Sequence, residues 1–140
     1  MKRIVLIAFC LLLCFLVGCN GRYKTVDIEE VVSASVWTHN GQYELNAEEL
    51  AEFIKLYNSS EYKGKATGEG GTPEFGASVE LEGGKQLIVN DYGYGNIHFE
   101  AFNDGEKGFY LDNEELLSFI TQLCENNITV IYKQTRTIRT

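Results

Sequence analysis

Few side chains in this chain could do chemistry, and they fall in a handful of places. Cys19 ends the stretch Leu16-Val17-Gly18-Cys19, directly after an apolar run. As a thiolate it would be a strong nucleophile. His98 and Glu100 stand two residues apart on an alternating stretch, so they share one strand face. With Glu80 or Glu82 they could form a weak metal or general acid–base group. They show no recognised ligand spacing, and a solvated sheet face is the plainer reading. His39, the other histidine, sits beside Asn40-Gly41 and reads as an exposed turn residue. Trp37, Tyr92 and Tyr94 could make an aromatic platform for a glycan or peptide. Aromatics flanked by glycine also serve as strand-end packing. Cys124 lies beside an amphipathic stripe and reads as a packing cysteine, with a reactive thiol as the alternative.

Several familiar chemistries are missing. There is no Gly-x-Ser-x-Gly and no Ser-x-x-Lys to activate a serine. Thr67-Gly68-Glu69-Gly70-Gly71-Thr72-Pro73 is glycine-rich but lacks Gly-Lys-Ser/Thr and carries a glutamate, so it is no phosphate loop. The acidic residues do not alternate as a calcium loop requires. No catalytic set, resident metal or cofactor is expected.

The first residues carry an address. Lys2 and Arg3 precede the uninterrupted apolar run from Ile4 to Val17. That run has the length of a secretory h-region and is short of the roughly 20 residues that span a bilayer. Leu16-Val17-Gly18-Cys19 resembles the lipobox of bacterial lipoproteins at all four positions. The resemblance implies a diacylglyceryl thioether on Cys19 and cleavage between Gly18 and Cys19. Two acyl chains, at about 0.8 kcal/mol per buried CH₂, anchor a protein where one is marginal. Cys10 and Cys14 lie within the run as small hydrophobes and would leave with it. Residues 1–18 are then the signal peptide, 19–25 a lipidated tether and 26–140 a single domain. The body also resembles small uncharacterised lipoproteins of Gram-positive bacteria in overall style and in its Gly70-Gly71-Thr72-Pro73 loop.

Charge narrows the partners. The chain has 20 acidic and 12 basic residues, for a formal charge of −8. Losing Lys2 and Arg3 makes it more acidic. Nucleic-acid binding is excluded as an expectation, because phosphate contacts need a basic surface. Of the four cysteines, only Cys19 and Cys124 would remain. With Cys19 lipidated, no internal disulfide could form.

The elements that hold these residues follow from periodicity. Ile28–Thr38 predicts a strand with Val32, Ala34 and Val36 on one face. Asn40-Gly41 predicts a hairpin to Tyr43–Leu45. Asn46 with Glu49 predicts a capping box, and Leu50, Phe53, Ile54 and Tyr57 form the helix stripe after it. Glu61–Ala66 reads as an edge strand guarded by two lysines. Phe75–Glu82, Gln86–Asn90, Ile97–Phe102 and Gly108–Leu111 read as further strands. Asp112 with Glu115 predicts a second cap, followed by the stripe Leu116, Phe119, Ile120 and Leu123. Asn126-Asn127 should stop that helix, and Ile128, Val130 and Tyr132 should start a last strand. Residues 43–57 and 109–123 align without a gap, by duplication or by convergence on the same cap-and-stripe physics. The expected fold is α+β, two amphipathic helices on one face of an antiparallel sheet, in the order ββαββββαβ.

These readings predict a lipoprotein on the outer face of the cytoplasmic membrane, or in the outer membrane of a Gram-negative envelope. Its expected partners are the bilayer, through Cys19, and an envelope protein or peptide. The expected activity is non-catalytic binding, including a sensor or inhibitor role. Trp37, Tyr92, Tyr94, His98 and Glu100 are the candidate surface. The alternative is an envelope enzyme or metal-dependent site built on His98 and nearby carboxylates.

Overall fold

Alternating strands build the frame. The computed structural model describes residues 23–67, 71–91, 99–103 and 108–128. Seven strands are seen there: β1 (Val31–Thr38), β2 (Gly41–Glu44), β3 (Glu61–Lys65), β4 (Phe75–Leu81), β5 (Lys85–Asp91), β6 (Phe99–Asn103) and β7 (Phe109–Asp112). They form one sheet in the order β2-β1-β4-β5-β6-β7-β3. Every pairing is antiparallel. The register lines up Val36, Ala77 and Val89, and beside them Ala34, Val79 and Leu87. All six are buried. Alternation sends their neighbours to the other side.

Two helices cover the buried side: α1 (Ala47–Asn58) and α2 (Glu114–Leu123). Phe53, Ile54, Leu56 and Tyr57 of α1 join Leu116, Ile120 and Leu123 of α2 in one core with the sheet. The α+β class, the antiparallel sheet and the two helices therefore match the expectation. Asn46 caps α1 as predicted. Its Oδ1 accepts from the amides of Glu48 and Glu49 at 3.0 Å, and the Glu49 carboxylate accepts from the Asn46 amide at 2.9 Å. Helix α1 leaves one edge strand, β2, and delivers the chain to the other, β3.

Several local expectations shift. Five strands, not the four of the expected order, separate the helices; the expected edge strand is among them, pairing with β7 across a bulge between Tyr62 and Gly64. Ile28–Glu30 is a 3₁₀ turn capped by Asp27, so β1 begins only at Val31. A bulge between Val31 and Ser33 removes Val32 from the pairing, and Val32 is 62% exposed instead of facing the core. The first hairpin turns on His39-Asn40, since Thr38 pairs with Gly41. Neither His39 nor Asn40 takes a positive φ; Gly41 does. The cap of α2 is Asn113, not Asp112. Its Oδ1 accepts from the Leu116 amide at 3.0 Å, while Asp112 is still paired with Glu61 in the sheet. The Glu-Glu-Leu shared by the two helices thus starts one position later after its cap in α1 than in α2. Past Leu123 the chain widens into a π-helical turn, Cys124–Ile128, which runs through Asn126-Asn127. Ile128 is buried there and does not start a strand. The rest of the expected last strand lies outside the described residues.

Tyr23, expected within the tether, is fastened to the fold. Its hydroxyl lies 2.9, 3.1 and 2.8 Å from the carbonyl oxygens of Tyr57, Asn58 and Ser60. Those are carbonyls that the end of a helix leaves without intrahelical donors. Its ring packs edge-on against Tyr57 at 5.5 Å and against Phe109 at 5.6 Å. The Asn58 side chain then pairs with both the amide and the carbonyl of Val26, each at 2.8 Å.

Candidate functional site

The helix-free face of the sheet carries the expected surface residues that the structure describes. Register places Trp37 beside Gly76, Gly76 beside Asn90, Asn90 beside Glu100 and Glu100 beside Tyr110. These five residues form one row across β1, β4, β5, β6 and β7. Trp37 and Glu100 share this row with two strands between them, about 14 Å apart at the usual strand spacing. Glycine at 76 is required by close approach. A Cβ there would lie 2.3 Å from the Val89 carbonyl oxygen and 2.8 Å from Cζ2 of Trp37. The indole therefore packs directly against the β4 backbone at Gly76. At the far end of the row, the Tyr110 hydroxyl accepts from the Thr67 amide at 3.2 Å and sits 3.1 Å from the Thr67 hydroxyl.

The carboxylates expected near His98 are not gathered around Glu100. The Glu100 row meets β4 at Gly76, and Glu80 lies four residues further on, about 13 Å along the strand. Glu80 accepts instead from the Ser33 hydroxyl at 3.3 Å. Glu82 lies in the β4–β5 turn, beyond Glu80. His39 is exposed at the tip of the first hairpin, where the Asn40 amide donates to Thr38 Oγ1 at 3.1 Å. Among the described residues, no group of three or more His, Cys, Asp or Glu is placed to hold a metal ion. Tyr92, Tyr94 and His98, with Gly18 and Cys19, lie outside the described residues. The strand ends that flank the first three, Asp91 and Phe99, are at the same end of the sheet as Trp37.

Cys124 is a free, buried thiol. Its Sγ lies 3.9 Å from the Trp37 carbonyl oxygen. Burial first, and the Glu125 charge second, push it up to about 11. It therefore stays protonated near neutral pH, where only the thiolate reacts. It packs the π-helical turn against the back of the Trp37 strand.

Concavities away from this face include one of about 450 Å³ where Val26 and Ile28 meet Ala51, Ile54 and Lys55 of α1. A groove of about 390 Å³ runs between the helices, with Glu52, Leu56, Glu114, Glu115 and Phe119 in its walls. A smaller depression of about 190 Å³ joins Lys24 and Glu30 to Leu81, Glu82 and Lys85. The sequence reading missed Gly76 and Tyr23 as positions of consequence. A lone glycine between Phe75 and Ala77 in an alternating strand was the available signal for Gly76, since it marks close approach of other atoms. Tyr23 left no local signal, because its partners lie more than thirty residues away.

Among the described residues, no helix is long and apolar enough to cross a membrane. No protein-family model, curated protein or solved structure matches the chain.

Proposed function

We propose that this chain is an extracytoplasmic lipoprotein, held on the membrane through a diacylglyceryl group on Cys19, whose folded body is a non-catalytic binding module. The observation that carries the anchor is Leu16-Val17-Gly18-Cys19 at the end of a basic-then-apolar N-terminus. The fastening of Tyr23 to the fold, four residues after that cysteine, is in keeping with it. The binding surface is the sheet face opposite the described helices, centred on Trp37 over Gly76, with Glu100 in the same row; Asn90 between them is buried. What supports it is the indole packed against Gly76 and, among the described residues, the placement of both helices on the other side of the sheet. A ligand there is an extended peptide or a protein surface of the envelope, met by an aromatic plane and polar strand residues.

Two measurements test the two halves. A Cys19→Ala chain should incorporate no lipid in a metabolic labelling assay; incorporation by that variant defeats the anchor. The mature lipoprotein should recover an envelope partner from detergent-solubilised membranes, and Trp37→Ala should lose it. A domain that comes down alone defeats the binding module.

A further inference from the structure

Residues 23–26 are fastened to the fold, and they follow Cys19 closely in sequence. Tyr23 is fixed by its contacts to Tyr57, Asn58, Ser60 and Phe109. The Tyr57 hydroxyl donates to the Lys24 carbonyl at 3.2 Å, and Asn58 clamps Val26. Four Cα steps separate Cys19 from Tyr23, at most about 14 Å when fully extended. A lipid on Cys19 would therefore hold this end of the domain against the bilayer surface.

Two depressions border that end, and Ile28 lines the one against Ala51, Ile54 and Lys55 of α1. Val31 pairs with Leu81 and Leu81 with Lys85. Lys24 and Glu30 share a depression with Leu81, Glu82 and Lys85. Among the described residues, the exposed large hydrophobics are Ile28, 43% exposed, and Val32, 62% exposed. Both lie within ten residues of Tyr23. The 3₁₀ turn carries Ile28, and the β1 bulge takes Val32 out of the pairing. Bulges re-aim side chains in this way. Asp27, Glu29, Glu30 and Glu82 stand here against Lys24, Lys55 and Lys85, so net attraction to anionic lipids does not drive the contact. An apolar contact held by a short tether suits this surface.

We propose that the end bearing Ile28, Val32 and the β4–β5 turn faces the bilayer, with Ile28 and Val32 resting at the headgroup–acyl boundary. The first hairpin then points away, since Asn40 lies about 26 Å along β1 from Val32. This proposal rests on the anchor reading above. The partner-binding row thus meets β1 at Trp37, near its membrane-distal end.

The test uses the chain in its processed, membrane-bound form, reconstituted in phosphatidylcholine vesicles that carry nitroxide lipids. A solvatochromic residue replaces Ile28, Val32 or Asn40 in turn, and mass spectrometry reads the state of Cys19. The expected result is lipid on Cys19, with blue-shifted and several-fold more strongly quenched emission at 28 and 32 than at 40. Lipid on Cys19 with equal quenching at all three positions overturns the orientation and leaves the anchor standing. A processed chain without lipid on Cys19 overturns both.

Discussion

Asn113 ties the start of α2 to the end of α1, and removing it should cost more than removing any neighbour in the same loop. Its Oδ1 caps α2 through the Leu116 amide at 3.0 Å. Its Nδ2 donates to the Leu56 carbonyl at 2.8 Å and lies 3.2 Å from the Ser60 hydroxyl. Loss of an N-cap costs about 1 kcal/mol. Loss of the bond to the Leu56 carbonyl costs about 1 kcal/mol more. Asn113→Ala should therefore destabilise by about 2 kcal/mol, or about 8 °C in Tm for a domain of this size. Asn113→Asp keeps the capping oxygen and suits the helix dipole but loses the donor, so about half of that cost should remain. Asp112→Ala removes only a contact with Lys63 at 3.9 Å, with both side chains about one-third exposed. Its cost should stay below about 0.5 kcal/mol. Urea unfolding followed through Trp37, the chain's single tryptophan, measures all three. An Asp112→Ala variant as damaged as Asn113→Ala would return the cap to the position that sequence spacing suggests and refute the structural argument.

The remaining predictions use the same unfolding assay. Gly76→Ala should cost roughly 3 kcal/mol, because the new methyl meets backbone at Val89 and the Trp37 ring. Gly83→Ala, at φ +78 in open space, should cost only about 1 kcal/mol, from backbone strain. Tyr23→Phe should cost about 1 kcal/mol for the lost hydroxyl bond. Cys124 should resist a water-soluble thiol reagent in the folded protein and react at once in urea. Its folded pKa, about 11, lies above its ordinary 9.0. Its contribution to stability is therefore complete below about pH 9 and lost as pH rises toward 11, because only the unfolded thiol sheds its proton there. The urea midpoint of the wild type should fall more steeply across that window than that of Cys124→Ala.

What could be read in the sequence was what neighbours decide. Asn46 and Glu49 make their capping box within three residues, and the two helix stripes need only the 3.6-residue period. The inward faces of β4 and β5 follow from alternation alone. What could not be read depends on distant partners. Asp112 and Asn113 both have capping chemistry, and the choice falls to Asn113 because β3 keeps Asp112 in the sheet and α1 offers the Leu56 carbonyl. Val32 keeps the parity of Ala34 and Val36, yet a bulge against Leu81 takes it out. Alternation assigns a face but not a partner, so nothing local places β1 beside β4 or β3 beside β7. In the candidate surface, Trp37 and Glu100 were correctly put on strands, but the row that joins them exists only once β4 and β5 stand between. Glu80 was the natural companion of Glu100 by type, and register along β4 sets it apart.

The strand order also has a consequence in time. Each edge of the sheet is laid down early, β2 with β1 and then β3. The partners that complete them, β4 and β7, come after long intervals of chain. A polypeptide emerging N-terminus first would show β1 with one open side until residues 75–81 follow, and β3 with no strand partner until residues 109–112 do. The sheet can build outward from the β1–β2 hairpin through β4, β5 and β6 before then, since three or more strands with an apolar face suffice. The β3 edge should therefore close last, with α1 already spanning from β2 to β3 as the β4–β7 meander fills the gap between them.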